Sequence, residues 1–493
     1  MSQKSIVVIG AGISGLATAA LLAKAGHKVK VLEGSDWIGG KSKRIIVDGQ
    51  RMDTGPALVT FPGVWKEFLR RYDNLGDTSI PASLIAPIEF EPLSEVGEYF
   101  YRGDKCLLPV EPGNKWHESW NRFEAVHGKL DKEITTLLTN TSMSPKAVPA
   151  VSKLVSNYGF RLTTKSYLDG LKWLPEGLKE VISIHTLNAG VAPESTLALF
   201  ATMPAVMATQ QVLVPVGGVN EIPLTLEKLA RHAGAEIILN QKVVSISNKE
   251  VKTSSASYQA DIVISSLDAK VTDRLLGKKT QEQNRKMSCS GVAIYAVLDQ
   301  DLPEQTKTHS VIMPDDPAKL HKSLGNKELP EHSMVFVNYY KAGHIYPNKK
   351  STVAVLITAP ADGKHYGIDS DFAKRELVRV SKVMGLPKNI KEYFGEFQIL
   401  DPEYFSGWGA TGGALYGEAR KIWQSGPLHQ PKHSSVLRPW LWRVGASTHP
   451  GGGIPAVLGG SLIATEKLMK RIGDQDQSEG DASLIPLLAT NAD

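Results

Sequence analysis

Apolar positions open the chain in two β-branched runs, Ile6-Val7-Val8-Ile9 and Val29 to Leu32. Between them, Gly15 to Ala25 is rich in Ala, Leu and Lys, which favour helix, and Gly26 is placed to end it. Residues 5 to 33 therefore predict a β-α-β unit. By hydrophobicity alone, Ile6 to Ala23 also approaches the length of a signal peptide or membrane anchor. A strand-turn-helix-strand unit accounts for the β-rich ends and the spaced glycines as well; a signal peptide accounts only for the hydrophobicity. No other segment is long and apolar enough to cross a bilayer. The expectation is a cytoplasmic chain without transmembrane helices.

Beyond the opening unit, Ile45 to Asp53 reads as a hairpin. Helical patterns follow at Val64 to Tyr72, Ala147 to Tyr158 and Glu194 to Met207, among many prolines. A second block starts at Leu213, with a turn at Val214-Pro215-Val216-Gly217-Gly218. It continues with an amphipathic helix over Glu221 to Ala233 and strands at Glu236 to Leu239, Val243 to Ser247 and Ala260 to Ser265. Strands at Val292 to Leu298, Ser333 to Asn338 and Thr352 to Thr358 precede a helix at Ser370 to Met384. The last block is a strand at Leu441 to Val444 and a helix at Val457 to Arg471. The polar, then Leu-rich end after Gly473 reads as a mobile tail. There is no internal repeat.

At 493 residues the chain is too long for one ordinary core. A formal net charge of +5 over that length is no nucleic-acid signature, though it suits weak attraction to an anionic membrane. The two cysteines, Cys106 and Cys289, stand far from any Cys/His cluster, so no metal site is expected. They read as small core residues in a reducing compartment.

The chemistry is carried by glycines. Gly10-Ala11-Gly12-Ile13-Ser14-Gly15 joins the first strand to the first helix. In such a turn the first glycine permits the bend, the second lets backbone approach a pyrophosphate, and the third lets helix and strand pack closely. Free N–H groups at the helix start then face the phosphates. Glu33 ends the second strand, 18 positions after Gly15, where a carboxylate accepts hydrogen bonds from ribose hydroxyls and repels a 2′-phosphate. Gly39-Gly40 allows a second close approach, and Lys41 brings positive charge toward the phosphates. Asp53-Thr54-Gly55-Pro56 is a further rigid turn, expected beside an isoalloxazine. Near the far end, Val444-Gly445-Ala446-Ser447-Thr448-His449-Pro450-Gly451-Gly452-Gly453-Ile454-Pro455 forms another strand-to-helix turn. A helix start there would stabilise an anionic reduced ring.

With these motifs, the chain resembles the phytoene-desaturase-type carotenoid oxidoreductases of the flavin amine oxidase superfamily, over nearly its full length to about residue 472. The run Thr448 to Pro455 carries the resemblance, supported by Asp53 to Pro56, Pro215 to Gly218, Gly417, Ser425 and Arg438-Pro439. The stretch Thr54 to Trp65 looks closest to the hydroxycarotenoid 3,4-desaturase branch. The resemblance implies FAD and an α/β fold. Its Rossmann-like FAD-binding domain is discontinuous, over 1–75, 211–290 and 430–472. An α+β substrate domain, with a mixed sheet and helices, spans 76–210 and 291–429, and 473–493 is a flexible tail. It implies cofactor contacts at Gly10, Gly12, Ile13, Ser14, Gly15, Glu33, Gly39, Gly40, Lys41, Gly55, Pro56, Gly445, Gly453, Ile454 and Pro455. Val243 joins them, through its backbone at the adenine end.

The implied reaction removes two hydrogens from adjacent carbons of a long polyene, by hydride transfer to flavin and proton loss. An extended polyene spreads positive charge, so no strong base is required. His449, in the glycine turn, and His185, before Asn188-Ala189-Gly190, are candidates to orient flavin or substrate; each reads equally as a packed histidine. A quinone or oxygen would be the final electron acceptor. A lipid substrate calls for peripheral contact with a membrane. Val151 to Leu174, which mixes Lys and Arg with Tyr158, Phe160, Tyr167 and Trp173, could supply it or could be an ordinary helical pair facing the core. A carotenoid isomerase, an amine oxidase and a prenyl-binding protein without flavin remain as alternatives on the same fold.

Overall fold

Short β-branched segments pair side by side, and the central ones, apolar on both faces, must be covered by helices. In the computed structural model, which describes residues 2–55, 57–76, 80–141, 143–279, 286–429 and 431–482, Ser5–Ile9 is central. It pairs in parallel with Lys28–Leu32 on one side and Ile262–Ser265 on the other. Glu236–Ile238 extends the sheet beyond Lys28–Leu32, and Arg438–Arg443 extends it beyond Ile262–Ser265, both in parallel. The short strand Ser434–Ser435 closes that edge antiparallel. This doubly covered sheet is Rossmann-like, and its strands come from three separate stretches of chain.

The helix Ile13–Lys24 buries every one of its residues. It is packed between the helix Glu221–His232 and the C-terminal helix Ile454–Ala482. That explains the long apolar run at 6–23: it is the central strand and central helix of a covered sheet. Among the described residues, no helix is long and apolar enough to cross a membrane.

A second, larger sheet is mixed. Its order runs Phe394–Leu400, Ser290–Leu298, Thr352–Ala359, Val335–Tyr340, His309–Ile312, Gly97–Tyr101, Asp104–Leu108. Neighbours are antiparallel except His309–Ile312 with Gly97–Tyr101, which are parallel. Its apolar face packs under the helix Asp371–Val383 through Phe372, Leu377 and Val380. Short helices and turns between residues 117 and 210 form a cap beside it. Cys106 and Cys289 are both free and buried, and burial pushes each thiol up to about 12.

Two elements differ from expectation. Glu194 to Met207 is not one helix: Pro193–Ser195 and Ala198–Thr202 are 3₁₀ turns, and a helix begins only at Met203–Gln210. The backbone between them is extended because Thr164 N–H donates to Thr196 O and Ala198 N–H donates to Leu162 O. Tertiary hydrogen bonds override helix propensity there. The final helix also runs past the expected end at Arg471, to Ala482, so the first part of the supposed tail is helical. The rest of that tail, 483–493, lies outside the described residues.

Candidate functional site

The carboxyl ends of three adjacent parallel strands, Ser5–Ile9, Ile262–Ser265 and Arg438–Arg443, lie along one edge of the first sheet. Each runs through a tight turn into a helix. The turns therefore meet, and this edge is where open α/β sheets bind ligands.

Two glycines of the first turn, Gly10 and Gly15, stand where no side chain could fit. Gly10 sits at φ +95, and its N–H donates to Leu32 O at 2.8 Å. A Cβ on Gly15 would stand 2.0 Å from Gly10 O. Gly12 is different: a Cβ there would meet nothing within 4 Å, so its backbone faces open space. The helix that follows has no side-chain cap and no acid in its first turn, which leaves its first N–H groups for an anion. Gly39 N–H donates to Ala11 O, and a Cβ on Gly40 would approach Gly12 Cα to 3.3 Å. The two glycine pairs thus form one wall.

Glu33 joins the same wall. Its carboxylate accepts Ala11 N–H at 2.7 Å, Ser35 N–H at 3.0 Å and the Ser35 hydroxyl at 2.8 Å. A carboxylate offers about four acceptor positions, so one remains for a hydroxyl. Val243 is buried against Val7, Ile9 and Leu32, and the chain just before it is tied in by Gln241 N–H donating to Glu33 O.

The far C-terminal turn closes over the first. Val444 N–H donates to Ser265 O. A Cβ on Gly445, at φ +100, would approach Ser14 Oγ to 3.2 Å, and the Ser461 hydroxyl donates to Ser14 O. Gly453, at φ +89, repeats the signature of Gly12: it precedes a helix start, at Ile454 and Pro455, and a Cβ there meets nothing. Two helix starts preceded by open glycine elbows therefore stand at the same edge of the sheet.

Lys41 ties the Gly39-Gly40 turn to a distant stretch of chain, its ammonium donating to Leu415 O. The side chain has exposed surface, yet dehydration by surrounding protein lowers its pKa, with the Asp268 carboxylate opposing. Gly55, at φ +87, donates its N–H to the Tyr295 hydroxyl, and a Cβ there would stand 2.5 Å from Lys41 O. Pro56 lies outside the described residues.

The two histidines are placed differently. His449 is half-buried in the C-terminal turn, and its pKa is lowered by burial and by Lys467. His185 is buried in the main core, its Nε2 paired with the Tyr99 hydroxyl at 2.9 Å. Burial holds it down to about 4, so it is neutral at pH 7 and committed to that partner.

Three residues escaped the sequence reading. The Ser266 hydroxyl donates to Ile9 O and Gly10 O, locking the first turn. Asp268 caps the helix Ala269–Leu275 and accepts the Ser447 hydroxyl. The Tyr416 ring lies against Gly190 and Gly452, where a Cβ would come within 2.7 Å and 3.0 Å of it. Only an apolar strand followed by Ser265-Ser266-Leu267-Asp268, a third strand-to-helix turn with an N-cap residue, could have signalled the first two.

The arrangement fits a flavin dinucleotide: two open backbone elbows, two helix starts and one acidic ribose acceptor. Comparison with known proteins decides the family, because the model for flavin containing amine oxidoreductases matches residues 13–294. The chain belongs to the flavin containing amine oxidoreductases. Its relatives in this family include a 4,4'-diapophytoene desaturase (4,4'-diaponeurosporene-forming) of Staphylococcus aureus. That protein is 26% identical over 510 residues, which cover 95% of this chain and 99% of the relative. A phytoene desaturase of Fusarium fujikuroi is 24% identical over 519 residues, 96% of this chain and 90% of the relative. Among solved structures, a putrescine oxidase redesigned in its cofactor binding matches with a TM-score of 0.65 at 14% identity, covering 96% of this chain and 99% of that one. The cyclohexylamine oxidase of Brevibacterium oxydans matches with a TM-score of 0.58 at 13% identity, over 97% and 100%. These likenesses bear out the flavin amine oxidase fold. As a member of this family the chain is a flavin-dependent oxidoreductase.

Proposed function

We propose that this flavin-dependent oxidoreductase is an FAD-dependent carotenoid desaturase that adds conjugated double bonds to an acyclic carotenoid. The observation that carries the proposal is the paired-elbow cleft, together with full-length relatives named as desaturases of phytoene-type carotenoids. We assign the cofactor to residues 1–75, 211–290 and 430–472, and the substrate to 76–210 and 291–429.

In this reading FAD held by these residues would supply the two-electron acceptor for an activated C–H of the polyene. The protein's own work is binding and orientation. Gly12 and Gly40 let backbone reach the pyrophosphate, and the start of Ile13–Lys24 supplies N–H donors. Glu33 holds the ribose and disfavours a 2′-phosphate. Val243 supports the adenine end. Lys41 lends positive charge to the cleft while bonded to Leu415 O. Gly445, Gly453, Ile454 and Pro455 position a second helix start for the ring. His449, in the C-terminal turn, orients flavin or substrate, and no residue is assigned as an indispensable base. A carotenoid reaches such a site from a membrane, so the protein acts at a membrane surface, with a quinone or oxygen as electron acceptor.

The test is expression in a strain that accumulates acyclic carotenoids, followed by pigment spectra. Desaturation shifts absorption to longer wavelength. Unchanged conjugation with altered geometry would identify an isomerase, and unchanged pigment would remove the carotenoid assignment.

A further inference from the structure

From Ile134 to Leu168 the chain has no Asp or Glu, but it carries Lys146, Lys153, Arg161 and Lys165. The helix Val148–Tyr158 in this segment buries Ala150, Leu154 and Tyr158. Tyr158 and Tyr167 belong to a closed internal network. The Tyr158 hydroxyl pairs with Thr202, while His127 pairs with Thr202 through Nδ1 and with the Tyr167 hydroxyl through Nε2. Trp173 is half-buried beneath the Arg122 guanidinium. Of the four aromatics that suggested an interfacial segment, only Phe160 is fully exposed.

The outward face carries one charged side chain, Lys153, where an ordinary water-facing helix carries several. Val148, Pro149, Ser152, Val155 and Ser156 are exposed there, and Val148 and Val155 stand two turns apart on one side. The flanking chain adds Met143 at 79% exposure and Leu162 at 66%. Lys153 is paired with Glu133, and Lys165 with Asp169. Among the described residues, Lys146 and Arg161 have no carboxylate partner. An apolar surface with two unanswered cations, and with Glu133 and Asp169 at its margin already paired, complements an anionic lipid surface. A second copy across a two-fold axis would set the same cations against each other, with no carboxylate in the segment to answer them.

We propose that the face formed by Met143, Val148, Val155, Phe160 and Leu162, with Lys146 and Arg161, docks the protein on an anionic bilayer. This rests on the reading that the substrate is a lipid. The buried Tyr158-Tyr167-His127-Thr202 network holds the docking helix rigidly against the core, so contact is made by a preformed surface.

The test compares the flavin-loaded wild type with Phe160→Asp/Leu162→Asp and with Lys146→Glu/Arg161→Glu. Each is sedimented with phosphatidylcholine vesicles and with mixed phosphatidylcholine and phosphatidylglycerol vesicles. Wild type should bind the mixed vesicles and release in high salt. Both variants should lose binding by roughly tenfold or more, with flavin content and melting temperature unchanged. Equal vesicle binding by wild type and variants overturns the proposal. So does a wild-type dimer that the variants dissolve while vesicle binding persists. Conversion of a detergent-dispersed acyclic carotenoid is measured in parallel. Its absence would remove the carotenoid reading, while the vesicle result would still decide the surface.

Discussion

Gly12 and Gly15 are three residues apart in one turn, but the structure assigns them opposite sensitivities. A Cβ on Gly15 would lie 2.0 Å from Gly10 O, a backbone atom that cannot swing away. Gly15→Ala therefore forces the helix off the strand, at a cost of about 1–3 kcal/mol or more. A Cβ on Gly12 meets no protein atom within 4 Å, and φ −71 with ψ 172 is open to alanine. In the apoprotein, losing backbone freedom in the unfolded chain favours alanine by about 0.4–1 kcal/mol. Alanine's poorer capping at a helix start offsets this by a similar amount. Gly12→Ala should then leave apoprotein stability within about 1 kcal/mol of wild type. In the proposed reading, its methyl would project into the space the pyrophosphate takes. Losing one or two hydrogen bonds to a charged group, each worth about 1.5–3 kcal/mol, weakens FAD binding by roughly 10-fold to several hundred-fold. Urea unfolding of the apoproteins and fluorescence titration with FAD measure both quantities. The reasoning is refuted if Gly12→Ala binds FAD like wild type, or if it destabilises the apoprotein as much as Gly15→Ala.

Other consequences follow from the same geometry. Glu33→Ala removes three hydrogen bonds from the turn and should cost about 1–3 kcal/mol in apoprotein stability, besides weakening FAD binding; urea midpoints and flavin titration separate the two losses. Arg44→Met should cost about 3 kcal/mol, because it strands Asp53, whose side chain is 1% exposed, and leaves Glu221 without its partner at 3.1 Å. Arg44→Lys should recover only part of that loss in the same unfolding assay. Burial holds His127, His185 and His433 down to about 4 and His309 to about 3. The unfolded chain takes up these protons near pH 6.5, before the folded one does, so stability falls as pH drops from about 6.5 toward 4. Urea midpoints at pH 7.5 and pH 5 should show that decline, and equal midpoints would contradict the neutral burial of these rings.

Much of the site was legible because its signal is local. A glycine turn, its flanking strands and Glu33 lie within one stretch of chain, and glycine is needed there for backbone reasons that spacing reveals. The Thr448 to Pro455 run was legible for the same reason. What joins these pieces was not. Ser266 and Asp268 act through hydrogen bonds to Gly10 and Ser447, partners well over a hundred positions away. Tyr416 acquires its place only when Gly190 and Gly452 close around it. The broken helix at 194–207 shows the converse, since a good helical pattern yields to hydrogen bonds with residues 162 and 164. Tyr158 and Tyr167 were left open for a third reason, because an amphipathic aromatic suits a membrane edge and a hydrogen-bonded core equally, and the structure places both in the core.

The central claim is that one FAD spans both glycine elbows. A crystal structure of the protein loaded with FAD tests it most directly. Density should run from Glu33 past Gly12 and Gly40, with the ring against Gly445 to Gly453. A ring placed elsewhere, or side chains from the 411–417 loop filling the cleft in the loaded protein, would contradict the account.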